Sequence, residues 1–134
     1  MNVITTTAHY AAIGGGSGNE ASHGYATVGG GSANAVGGQY ATIGGGYRNT
    51  VTETARYATI SGGYHNTANG ESAAIGGGAD NVITTTASYA TVYGGSENEA
   101  AGDFSSAAGG RSNAAVGDYS FAAGGWENEA AGDH

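Results

Sequence analysis

The chain has 134 residues, with 11 acidic residues against three arginines and no lysine, and a formal net charge of −8 at pH 7. This charge disfavours nucleic acid and anionic membranes as partners. The 28 glycines, without any proline or cysteine, exclude collagen, disulfide-stabilised folds and thiolate metal sites.

The composition also bears on order and on membrane insertion. No run of about 18 apolar residues is present, so we expect no membrane insertion by this segment. A glycine-rich acidic chain could be disordered. The nine tyrosines and a register held over the whole chain favour an ordered repeat protein instead.

The repeat becomes visible when the glycine pairs are aligned, because an asparagine then recurs every 15 or 17 residues. The asparagines are Asn2, Asn19, Asn34, Asn49, Asn66, Asn81, Asn98, Asn113 and Asn128. The heptapeptide NVITTTA occurs at both 2–8 and 81–87, and each copy belongs to a 17-residue unit. The heptapeptide forms the longer version of the corner between the asparagine and the next aromatic residue. The 15-residue units close the same corner with a glycine.

The first predicted element of each unit is a very short strand that places an apolar residue two positions after the asparagine. These residues are Ala21, Val36, Val51, Ala68, Ile83, Ala100, Ala115 and Ala130.

The second predicted element is a short strand exemplified by YATI at 40–43, in which apolar and outward residues alternate. One face collects Ile13, Val28, Ile43, Ile60, Ile75, Val92, Ala107 and Ala122. The other face collects Tyr10, Tyr25, Tyr40, Tyr57, Tyr89, Phe104 and Tyr119. Glycine-rich corners with positive φ follow each of these strands.

Together these elements predict an all-β fold, a parallel β-solenoid of about eight coils of 15–17 residues with two short strands per coil. We interpret residues 1–134 as a single β-roll repeat domain, a segment of a longer fibrous protein. Its alanine- and valine-filled interior is thin, so we expect identical rolls to pack side by side as a homo-oligomer.

Few residues of this sequence suggest chemistry. The four histidines share no ligand spacing, and the glycine-rich stretches lack the helix and lysine of a phosphate loop. We therefore predict no enzyme, no catalytic residue and no cofactor. The one metal alternative is a column of Asp103, Asp118 and Asp133, weak candidates for calcium or another hard cation.

Exposed residues that break the repeat are the candidates for a partner surface, because tyrosine, tryptophan and arginine favour interfaces. They are Tyr47, Arg48, Tyr64, His65, Tyr93, Arg111 and Trp126. An ice-binding threonine array is an alternative use of the solenoid. The column Thr27, Thr42, Thr59 and Thr91 is interrupted at Ala12, Ala74, Ser106 and Phe121, which disfavours it.

The repeats resemble the YadA-like head repeats of trimeric autotransporter adhesins. SAAIG at 72–76 and YAAIG at 10–14 match the A-I-G core of that family's unit, and NTANG at 66–70 matches its ending. The family's unit has 14 residues, whereas this chain repeats at 15 or 17, adds a glycine and begins most of its second strands with a tyrosine.

The resemblance implies a left-handed parallel β-roll, a parallel homotrimer, and a role in attachment at the bacterial cell surface, to a host surface protein or glycan. No binding residue of the family carries over. Two alternatives stay open: a phage or viral tail-fibre segment that acts as a spacer or receptor-binding rod, and a cation-stabilised structural roll without a ligand of its own.

Overall fold

A computed structural model describes residues 1–132 of the chain, and these residues form a parallel β-solenoid of about nine turns. The turn count exceeds the predicted eight because the chain begins with a strand of its own, directly after Asn2. The described residues include no helix, and therefore none with the length and apolarity to cross a membrane.

Each coil contributes one two-residue strand to each of two parallel sheets, as predicted. The nine-stranded sheet consists of Val3–Ile4 (β1), Glu20–Ala21 (β3), Ala35–Val36 (β5), Thr50–Val51 (β7), Thr67–Ala68 (β9), Val82–Ile83 (β11), Glu99–Ala100 (β13), Ala114–Ala115 (β15) and Glu129–Ala130 (β17). The eight-stranded sheet consists of Ala12–Ile13 (β2), Thr27–Val28 (β4), Thr42–Ile43 (β6), Thr59–Ile60 (β8), Ala74–Ile75 (β10), Thr91–Val92 (β12), Ser106–Ala107 (β14) and Phe121–Ala122 (β16).

The core is one layer of small and branched apolar side chains between the two sheets. The second residue of each strand points inward, so Ile43 and Ile60 are fully buried while Thr42 and Thr50 face outward. Parallel pairing stacks identical positions of successive coils, as Ile43 pairs with Ile60. The two predicted apolar columns therefore lie in the core, apart from their partly exposed terminal members. A further buried column, not predicted from the sequence, joins them and consists of Ala26, Ala41, Ala58, Ala73 and Ala90.

A ladder of asparagines supports the glycine corners from inside. Asn49 shows the pattern: its backbone N–H donates to Asn34 Oδ1 at 3.0 Å, and its Nδ2 donates to the carbonyls of Gly45 and Gly63 at 3.0 and 2.9 Å. Its own Oδ1 accepts the N–H of Asn66 at 3.0 Å. Because the ladder is buried, these bonds satisfy polar groups that water cannot reach.

The corners differ in detail from the prediction. Positive φ falls on the last glycine of each corner, in four corners also on the glycine before it, as at Gly77, and on the residue before each asparagine from Asn19 onward, such as Arg48 at 56°. It does not fall on the asparagine itself. The tyrosines lie outside the strands, because Tyr40 adopts a φ of 61° just before Ala41. A tyrosine with positive φ and a tyrosine in an extended strand give the same alternation of inward and outward residues. The sequence alone therefore did not distinguish the two backbone conformations.

The NVITTTA corner is closed by threonine hydroxyls. In the second copy, the Oγ1 atoms of Thr84 and Thr86 lie 3.3 Å apart, and both hydroxyls donate to the carbonyl of Ala101 on the next coil at 3.3 Å. In the first copy, Thr5 and Thr7 donate to the carbonyl of Ser22 at 2.9 and 3.2 Å. The two extra residues thus remain tied to the neighbouring coil.

Candidate interaction surface

A third ladder, which the sequence did not predict, runs along one edge of the solenoid. Isolated parallel bridges join the second residue before each asparagine to its counterpart one coil on, as in Tyr47 with Tyr64 and Arg111 with Trp126. The residue types along this ladder vary from serine to tryptophan, so no pattern marked it. Its outward side chains form an edge that tolerates diverse residues.

Four of the seven predicted partner residues meet on this edge, and with Asp80 they form what we call the corner cluster. The rings of Tyr47 and Tyr64 stack with centroids 5.7 Å apart. Arg48 Cζ lies 5.1 Å from the Tyr47 ring centroid, within the range of a cation–π contact. His65 lies beside Tyr64 with the ring centroids 5.9 Å apart.

Asp80 was missed in the sequence, although it lies 15 residues, or one coil, after His65. His65 Nδ1 and Asp80 Oδ1 lie 2.7 Å apart, so the carboxylate holds the imidazole in place. Both side chains are about half exposed, at 59% and 44%. The cluster therefore presents two aromatic rings, a guanidinium and a hydrogen-bonded imidazole to the solvent.

The other three predicted partner residues lie elsewhere. Arg111 and Trp126 follow on the same ladder, beyond Ala79 and Ser96, and Arg111 donates to Glu97 Oε1 at 3.1 Å. Tyr93 directly follows strand β12 and is exposed. The structure thus separates the predicted surface into the corner cluster, the Arg111–Trp126 pair and the single Tyr93 ring.

The predicted cation column has a structural use for its described carboxylates. Asp103 Oδ1 accepts the backbone N–H of Ser88 at 2.7 Å, and Asp118 Oδ1 accepts the N–H of Asp103 at 2.8 Å. Asp133 lies outside the described residues. Residues 1–132 contain no group of three or more histidine, aspartate or glutamate side chains placed to hold a metal, and calcium stays a prediction.

No pocket is enclosed by residues 1–132. No family model matches the sequence, and comparison with curated proteins finds no match either. What the chain does must therefore be inferred from its own surface.

Proposed function

We propose that this chain is a non-enzymatic attachment module, a head or stalk segment of a trimeric fibre on a bacterial surface. The observation that carries the proposal is the corner cluster on the edge of a rigid rod. Here Tyr47, Arg48 and Tyr64 lie exposed, with Arg48 and Tyr64 both beside the Tyr47 ring, and these residue types dominate the binding energy of protein interfaces. A left-handed coil and a parallel homotrimer complete the proposal, on the resemblance to adhesin head repeats.

The rigidity of the edge supports this role. Tyr47 and Tyr64 donate their backbone N–H groups to the carbonyls of Gly63 and Gly78 at 2.9 Å, so the backbone beneath the rings is fixed. A preorganised surface loses little entropy when a partner binds. Repetition along a fibre, and across three chains, would multiply weak contacts into firm attachment.

The test is attachment of protein-coated fluorescent beads to cultured epithelial cells. We expect the double substitution Tyr47→Ser and Tyr64→Ser to reduce bead attachment at least severalfold, because it removes both stacked rings. Serine already occupies this ladder at Ser17, Ser32 and Ser96, so the fold should tolerate it. Protease or glycosidase treatment of the cells then separates a protein from a glycan as the partner.

The matched control is Tyr119→Ser, which removes an exposed ring from a different edge of the solenoid, at a position that Ser72 occupies three coils earlier. Its beads should attach as the unchanged protein does. If unchanged beads attach no better than beads coated with an inert protein, the attachment proposal is wrong, and a spacer role takes its place.

A further inference from the structure

A column of stacked aromatic rings, distinct from the corner cluster, runs along the solenoid just before the strands of the eight-stranded sheet. Tyr10, Tyr25, Tyr40 and Tyr57 form one stack, with neighbouring centroids 4.7–5.2 Å apart. Tyr89, Phe104 and Tyr119 form a second stack, with centroids 5.0 Å apart. Ser72 occupies the coil between the two stacks.

Ser72 keeps the backbone geometry of the column but lacks the ring. Its φ of 55° matches the 60° of Tyr57 and the 58° of Tyr89. Its N–H donates to the Arg56 carbonyl at 2.8 Å, and the N–H of Tyr89 donates to the Glu71 carbonyl at 2.8 Å, so the register is unbroken. The column therefore has a slot where one ring is missing, with Ser72 as its floor.

The slot has the width of two coil steps. At about 4.8 Å per step, the Tyr57 and Tyr89 rings are roughly 9.6 Å apart, so a planar group midway lies about 4.8 Å from each. Both walls remain half exposed, at 49% for Tyr57 and 54% for Tyr89. A planar group can therefore enter from solvent and contact two ring faces at once.

The charges around the slot favour a cation. Each tyrosine face carries the negative part of the ring quadrupole. Glu71, beside Ser72 on the same coil, is exposed, and its carboxylate makes no hydrogen bond or ion pair within residues 1–132. Arg56 donates to Gln39 Oε1 on the preceding coil at 3.2 Å, and its Cζ lies 5.6 Å from the Tyr57 ring centroid. The Tyr57 wall therefore already has one cation beside it, and the Glu71 carboxylate supplies the charge that a second cation would pair with.

We infer that the slot binds a guanidinium group, supplied by an arginine side chain of a basic protein partner. The guanidinium is planar, stacks on aromatic faces and pairs with carboxylates. This chain already stacks its own arginines on tyrosine, with Arg48 Cζ 5.1 Å from the Tyr47 centroid and Arg56 Cζ 5.6 Å from that of Tyr57. Its net charge of −8 adds a long-range attraction for a basic partner. This inference is independent of the proposed attachment through the corner cluster.

The test is an NMR titration of the full chain with N-acetyl-arginine amide, followed through the ring signals of Tyr57 and Tyr89. N-acetyl-citrulline amide is the matched control ligand, since it is nearly isosteric but uncharged. We expect the arginine ligand to shift both rings and the citrulline ligand to bind at least several times more weakly. Glu71→Gln should weaken arginine binding by about two- to fivefold, the range of an exposed ion pair.

Two further variants alter the slot itself. Ser72→Tyr supplies the missing ring, in a conformation that tyrosine adopts on the neighbouring coils, and should abolish the titration. Tyr25→Ser opens a second slot between Tyr10 and Tyr40, beside Gly24 instead of a glutamate, and should add a weaker arginine site. The solution mass of every variant is measured, so that a change of assembly is distinguished from loss of the slot.

Three outcomes overturn the inference. The first is equal binding of citrulline and arginine, and the second is arginine binding that survives Ser72→Tyr. The third is the absence of any ring shift with the arginine ligand. N-acetyl-tyrosine amide and methyl glucoside are titrated in parallel, and binding of either does not rescue the inference.

Discussion

At the scale of single residues, some buried polar groups of the interior form hydrogen bonds and others do not. The asparagine ladder pairs buried donors and acceptors on coil after coil. Ser105 and Ser120 contrast with it. They occupy the inward column that carries alanine at Ala41, Ala58 and Ala90, and neither hydroxyl has a hydrogen-bond partner among the described residues.

This contrast predicts a stabilising substitution. Ser105 is fully buried, and a buried hydroxyl without a partner costs about 1–3 kcal/mol. Ser105→Ala should therefore raise the free energy of unfolding by about 1 kcal/mol, seen as a higher urea midpoint. The control is Ser106→Ala, which alters the next residue, an outward-facing position of strand β14, and should change little. An unchanged or lower midpoint for Ser105→Ala would show that the hydroxyl has a partner after all.

At the scale of elements, two-residue strands are held in place by the corners between them. The last glycine of each triplet is the strictest corner position. Gly46 has a φ of 92°, and a Cβ there would lie 2.2 Å from the Gly63 carbonyl oxygen on the next coil. A Cβ on the neighbouring Gly45 would meet nothing within 4 Å. Two adjacent glycines are thus required to very different degrees.

We expect Gly46→Ala to destabilise the chain by several kcal/mol, because both the φ value and the backbone contact oppose a methyl group. Gly45→Ala should be neutral or stabilising by up to about 1 kcal/mol, since alanine restricts the unfolded chain. Thermal unfolding followed by circular dichroism compares the two variants. Similar losses in both would mean that the corner excludes any side chain, irrespective of φ.

Much of this architecture could be predicted from the sequence, and the misses have physical causes. The two sheets, the buried Ile43 column and the asparagine ladder follow from a strict period, since stacked coils require the same residue at the same place. The third ladder was missed because backbone bridges alone define it, and its side chains are free to vary. Of the corner cluster, four residues were named from the sequence as candidates for a partner surface, and the structure shows that they lie together; Asp80 emerged only from the coil register.

At the scale of the whole molecule, surface area gives no reason for assembly. The accessible area of 6187 Å² is close to the roughly 6,300 Å² expected for a compact monomer of this mass. The distribution of charge over the surface does give a reason for assembly. The outer face of the eight-stranded sheet carries no charged side chain, whereas that of the nine-stranded sheet carries Glu20, Glu99 and Glu129. The uncharged face is therefore the better candidate for packing against sister chains.

Solution mass by light scattering tests this assembly. We expect about three times 12.9 kDa, with calcium and with chelator alike. Thr42→Glu should lower the mass, because it buries a carboxylate between chains, while Thr50→Glu on the opposite sheet should not. Both threonines are half-buried strand residues, so the pair is matched. A folded monomer would refute the trimer, and a trimer that dissociates in chelator would make the acidic column a cation site between chains.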